Sequence, residues 1–161
     1  MNKIINYTFL LTLFLLTNCG YQAVLSNQNF KFSINTNKLN GDQKINSLIT
    51  NNFNKLKENE KKYDLTLLSS KEKIVISKDS KGDPSIFELK INVNYIVEQE
   101  GEVLINNKIN KKTTYNNITD KFELESYEKT IIDNLASEIS DNIMLSISKI
   151  KIGRASCRER V

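Results

Sequence analysis

The sequence predicts an α+β fold, a two-layer sandwich of two amphipathic helices packed on one face of a mostly antiparallel four-stranded sheet. Three observations carry that expectation. Phe87, Leu89, Ile91, Val93, Tyr95 and Val97 recur at every second residue, with Glu88, Lys90, Asn92 and Asn94 between them. This is the pattern of a strand with one face buried and the other wet. Ile45, Leu48, Ile49, Phe53 and Leu56 fall at offsets 0, 3, 4, 8 and 11, one apolar stripe on a helix. Ile132, Leu135, Ile139, Ile143, Ile147 and Ile150 form a second stripe at helical spacing. A sheet with one wet face needs cover only on the other, and two helices supply it.

Taken in order, residues 1–18 read as a lipoprotein signal peptide. Lys3 gives the positive start, and Ile4 to Leu16 is an apolar run broken by Asn6, Thr8 and Thr12. At roughly a dozen residues the run is too short to span a bilayer, which takes about 20. Leu16-Thr17-Asn18-Cys19 resembles a bacterial lipobox, with Asn18 departing from the usual small residue before the cysteine. That resemblance implies lipidation of Cys19 by acyl chains such as palmitate, which together hold a protein stably on a membrane. Gly20 stands where Asp would mark inner-membrane retention under the enteric sorting rule, so an outer-membrane destination is expected. Residues 19–29 then form a lipid-anchored tether, and 30–151 a single domain.

Phe30-Lys31-Phe32-Ser33-Ile34 alternates as a short strand, and Asn40-Gly41 signals a turn. The first helix should run about 15 to 18 residues, with Asp42 in its first turn and lysines in its last. The charged run Glu58 to Lys62 ends it. Tyr63–Leu68 and Ile74–Ser77 are apolar pieces separated by polar Ser69 to Lys73, either one irregular strand or a strand and its continuation. Asp79 to Pro84 is a turn that lacks the ligand spacing of a calcium loop. Glu98 to Glu102, centred on Gly101, closes a hairpin, and Val103, Ile105 and Ile109 carry the alternation on toward Thr113 and Tyr115. The last helix is expected from Ser126 to Ile150, capped by Ser126 or, if it starts earlier, by Asp120.

The C-terminal segment differs in kind. All three Arg lie in the last eight residues of a chain otherwise rich in Lys, Asn and Ile. Residues 152–161 resemble the translation of a common sequencing adapter and are set aside from the fold, which leaves the natural C-terminus in question. With Cys19 lipidated and Cys157 in that segment, no disulfide is expected. Residues 19–151 carry 19 Lys against 18 Asp and Glu, a net charge of +1.

Chemistry is excluded more than it is indicated. The chain has no His, which removes Ser-His and Cys-His nucleophile pairs, His metal sites and the imidazole base. Glu98 with Glu100, and Glu123 with Glu125, sit where solvated turn and helix-start charges belong. No glycine-rich cradle accompanies the lysines, and no basic stripe with interleaved aromatics suggests nucleic acid. No catalytic, cofactor or metal site is therefore expected. Lys108 and Lys112 project from the polar face of the second hairpin strand and, with Lys111, could meet phosphate as point charges. A set of solubilising, edge-guarding lysines reads the same way.

The opening Cys19-Gly20-Tyr21, then strand, helix, a sheet with the long Phe87–Val97 hairpin and a closing helix, resemble the LPS-assembly lipoprotein family, LptE. The resemblance covers residues 16 to 150. It implies a non-enzymatic outer-membrane subunit on the periplasmic face, plugging the β-barrel LptD, helping it assemble and assisting lipopolysaccharide insertion into the outer leaflet. Lys108, Lys111 and Lys112 are then the candidates for lipopolysaccharide phosphate, although a Lys grips phosphate less well than the Arg other members use. A lipid-anchored adaptor of another envelope complex and a periplasmic lipid carrier are the alternatives.

Overall fold

Each helix begins on an aspartate. Asp42 Oδ1 accepts hydrogen bonds from the backbone N–H of Lys44 (3.0 Å) and Ile45 (3.1 Å), and Asp120 Oδ1 from Phe122 (2.8 Å) and Glu123 (3.0 Å). A side-chain oxygen so placed satisfies first-turn donors that have no partner within the helix. The computed structural model describes residues 32–53 and 61–156, with side chains to residue 150. Cys19, Phe30, Lys31, Leu56 and Cys157 lie outside these residues.

The elements are β1 (Ser33–Gly41), α1 (Gln43–Phe53), β2 (Lys62–Lys78), β3 (Pro84–Gln99), β4 (Glu102–Asn116) and α2 (Lys121–Ser156). The four strands form one sheet in the order β1-β2-β3-β4. β1 runs parallel to β2, which requires the crossover that α1 provides, and the other two pairs are antiparallel. The α+β sandwich is as the sequence predicts.

The register sorts side chains by face, because opposed residues share one. Leu65 lies opposite Val97, Leu67 opposite Tyr95, Val93 opposite Ile109 and Phe87 opposite Tyr115. All six residues of the Phe87–Val97 stripe are buried, against Ile45, Ile49 and Phe53 of α1 and Ile132, Leu135, Ile139, Ile143 and Ile147 of α2. Phe32, just ahead of β1, meets Tyr63 edge to face at 5.8 Å. Where the helices touch, the buried Ser140 hydroxyl donates to the Ala136 carbonyl at 2.7 Å and accepts from Asn52 Nδ2 at 3.2 Å.

Several boundaries differ from expectation. β1 continues through the polar stretch to Gly41, because its bonds to β2 do not depend on apolar side chains. β2, in contrast, follows one of its two expected readings: it is a single strand, the polar Ser69–Lys73 segment included, because the ladder to β3 runs through it. Asp42 is the cap of α1, outside its first turn. α2 starts at Lys121 with Asp120 as cap, so Ser126 lies inside the helix, and α2 continues to Ser156.

Gly41 marks the point where the chain leaves the sheet. Its φ is +89°, and a Cβ there would stand 1.9 Å from the carbonyl oxygen of Ser69. Asp42 N–H donates to that same oxygen at 3.1 Å. Gly41→Ala should therefore lower the unfolding free energy by roughly 2 kcal/mol or more, read as a fall in urea midpoint. Ile91 is fully buried at the sheet centre. Ile91→Asp should abolish the cooperative melting transition in differential scanning calorimetry, because it buries a carboxylate whose cross-strand neighbours, Lys71 and Lys111, are directed to Asp42 and Glu138.

Candidate functional site

Both helices lie on one side of the sheet, so among the described residues the other side is bare. Its residues come from alternate positions: Thr66, Leu68, Ser70 and Glu72 on β2; Glu88, Lys90, Asn92 and Asn94 on β3; Asn106, Lys108, Asn110 and Lys112 on β4. Asn92 faces Asn110, and Asn92 Nδ2 reaches Ser70 Oγ at 3.4 Å. Lys112 Nζ donates to Glu88 Oε2 at 2.9 Å. The face is broad, rich in amide donors and acceptors, and carries both signs of charge. It suits recognition by hydrogen bonding.

The three predicted lysines do not act together. Lys108 lies opposite Asn94 and Lys112 opposite Lys90, both on the bare face. Lys111 lies opposite Ile91, on the helix-covered face, and its Nζ pairs with Glu138 of α2 at 2.9 Å. Four residues apart on one strand, Lys108 and Lys112 stand about 13 Å from each other, too far to hold a single phosphate. Lys90 is the residue the sequence reading left out. Directly across from Lys112, it forms the closest pair of cations on that face, and counting the hairpin register back from Gly101 is enough to find it.

The carboxylate pairs are spread apart by the fold. Glu98 is on β3 and Glu100 in the β3–β4 turn at φ +53°; Glu123 is in the first turn of α2, and Glu125 lines a groove. Among the described residues no three His, Cys, Asp or Glu side chains gather as a metal site.

On the helix-covered face, beyond the start of α1, is an open groove of about 500 Å³. It is lined by Lys44, Lys71, Phe122, Glu125, Ser126, Glu128, Lys129 and Ile132. Glu128 is its most engaged member. It pairs with Lys73 and accepts a hydrogen bond from Tyr115 Oη at 2.7 Å, while Lys73 Nζ sits 4.2 Å over the Phe87 ring. Burial first, then the hydrogen bond to Glu128 and its negative charge, push the Tyr115 phenol well above its ordinary 10.0.

The fold on which these surfaces stand has been seen before. Rare lipoprotein B from Shewanella oneidensis superposes with a TM-score of 0.57 over 75% of this chain and 99% of that one, at 17% identity. The chain shares the fold of rare lipoprotein B. A lipoprotein from Caulobacter crescentus gives a TM-score of 0.57 over 78% of this chain and 93% of that one, at 13% identity. Lipoprotein B from Nitrosomonas europaea gives 0.57 over 76% and 84%, at 12% identity. No family model matches, and no curated protein does.

The raised Tyr115 pKa has a stability consequence. Unfolded, the phenol ionises near pH 10; folded, it holds its proton to higher pH. The stabilisation is whole below pH 10 and is lost as the pH rises beyond it. Comparing urea midpoints at about pH 9 and about pH 11 should show a smaller drop in Tyr115→Phe than in the parent protein.

Proposed function

We propose that this chain is an outer-membrane lipoprotein of the lipopolysaccharide-assembly machinery, an LptE-type subunit that sits inside the LptD β-barrel. The supporting observation is a fold shared along nearly the full length of lipoproteins of known structure, joined to a broad sheet face that no helix covers among the described residues. A soluble domain gains by covering such a face or keeping it wet; one lodged in a hydrophilic barrel lumen can use it as its contact surface.

Cys19 supplies the anchor in this reading. β1 begins at Ser33 opposite Lys62, beside the end of the sheet that holds the β3–β4 turn. Along β2, Lys78 is about 53 Å from Lys62, so the Asp79–Asp83 turn stands far from that end. Among the described residues no helix is long and apolar enough to cross a membrane.

Lipopolysaccharide contact, if direct, falls to the bare face. Lys90 and Lys112 are paired across the hairpin with Lys108 farther along, a spacing that fits two separate anionic groups. Lys111 takes no part, since it is held by Glu138 on the other side.

A detergent pull-down of the tagged protein without residues 152–161, from cells expressing the same genome's large barrel, tests the plug. The expected result is a stoichiometric partner whose gel mobility shifts on heating. Asn94→Trp, at an exposed position in the middle of the bare face, should remove that partner while leaving stability within about 0.5 kcal/mol, as surface changes usually do. A partner retained by this variant would place the interface elsewhere.

A further inference from the structure

β1 stops where Gly41 faces Ser69, but β2 runs on from Ser70 to Lys78 with β3 on one side only. Among the described residues no strand covers its other side. Residues 70–76 are all exposed, including Ile74, Val75 and Ile76. This is an open edge on a long strand, the kind of surface that accepts a further strand.

The bonds at Asp42 show which backbone groups are free. Ser69 presents its carbonyl to Asp42 N–H, toward the β1 side. Backbone groups alternate along a strand, so Lys71, Lys73 and Val75 turn their N–H and C=O the same way, into the space that β1 vacates. Their side chains lie on the helix-covered face, opposite Ile91, Leu89 and Phe87. The groove of about 500 Å³ opens beside them.

The groove selects by charge. Lys44 and Lys129 line it with no ion pair among the described residues, and Lys71 is only loosely held by Asp42 at 4.0 Å. Of the two acidic residues that line it, Glu128 is already taken by Lys73 and Tyr115, which leaves Glu125 against three lysines. Phe122, 82% exposed, adds an apolar wall. Lysines on an edge normally deter pairing. A second copy in antiparallel register would bring Lys71 against Lys73, like charge on like. A strand bearing carboxylates at alternate positions meets the opposite arrangement.

We propose that the open edge of β2 from Ser70 to Val75 docks an extended acidic segment of a partner polypeptide, as a strand in line with β1 whose carboxylates enter the Lys44–Lys71–Lys129 groove. The inference does not need the barrel reading, because it rests on the edge and the groove alone.

The test is an NMR titration of the whole ¹⁵N-labelled protein in detergent micelles with a short synthetic peptide of alternating glutamate and valine. A peptide with lysine in place of glutamate is the comparison. The acidic peptide should protect the amides of Lys71, Lys73 and Val75 from exchange, and should bind more weakly as salt rises. Val75→Pro removes an outward donor without touching the β3 ladder and should weaken binding about tenfold or more. Lys44→Glu together with Lys129→Glu, both on the surface, should weaken it comparably and keeps the test valid if the proline variant does not fold. No binding, equal binding of the two peptides, protection at other amides, or self-association through residues 70–75 would each overturn the proposal.

Discussion

The hydrogen bond from Asp42 N–H to the Ser69 carbonyl is the contact on which the remaining architecture depends. It forms where Gly41, at positive φ, lets the chain pass against Ser69 with no room for a side chain. The same aspartate then caps α1, and Ser69 Oγ returns a bond to the Asp42 carbonyl at 3.1 Å. Asn46, buried in the first turn, donates to the Asn40 carbonyl at 3.0 Å and secures the bend. One junction therefore ends β1, lifts the chain off the sheet and starts α1 over the buried face. With α1 limited to the β1–β2 end, α2 must run along the sheet and meet it through Ser140 and Asn52. Among the described residues no element remains for the opposite face or for the second half of β2.

The parts of the fold legible in the sequence are those in which side chains alone decide the outcome. The Phe87–Val97 stripe and the Ile132–Ile147 stripe are buried as their periods require, since each residue either enters the core or does not. The parts that were not legible are those decided by the backbone. Asn35, Thr36 and Lys38 give no hydrophobic signal for a strand, yet each pairs with β2. Lys71 to Lys73 look like a break in β2, but their ladder to β3 is unbroken. The choice between Asp120 and Ser126 as cap turns on whether one extra turn finds support, and Leu124 finds it by packing against the core. At the candidate site, parity alone separates Lys111 from Lys108 and Lys112. What no pattern in the sequence carries is that Glu138 stands within reach of Lys111, since that follows from how α2 lies across β4.

The ion pairs show where a chain rich in lysine spends its charge. Lys71 with Asp42, Lys73 with Glu128, Lys111 with Glu138 and Lys112 with Glu88 each join different elements or neighbouring strands. Pairs this accessible contribute little stability each, typically about 0–1 kcal/mol. Their effect is on surface character. Lys111 ties the β4 edge to α2, and Lys73 lays its chain over Phe87 while its charge meets Glu128. Where such pairing stops among the described residues, at Lys44 and Lys129 on one side of the sheet and at Lys90 and Lys108 on the other, charge is left for a partner.

The two surfaces recognise by different chemistry, and this makes them separable. The bare face offers side-chain amides and lysines, so its specificity resides in residues such as Asn92, Asn94 and Lys112, and a bulky substitution there acts locally. The β2 edge offers peptide groups, which no ordinary substitution except proline removes, and side chains only set which strand may approach. They also lie on different sides of the molecule: the edge and its groove open beside the helices, whereas the bare face looks the other way. A domain held in a lumen through its bare face would keep the β2 edge turned aside from that contact. The short β1 that leaves this edge open is thus compatible with the plug, and each surface can be altered without disturbing the other.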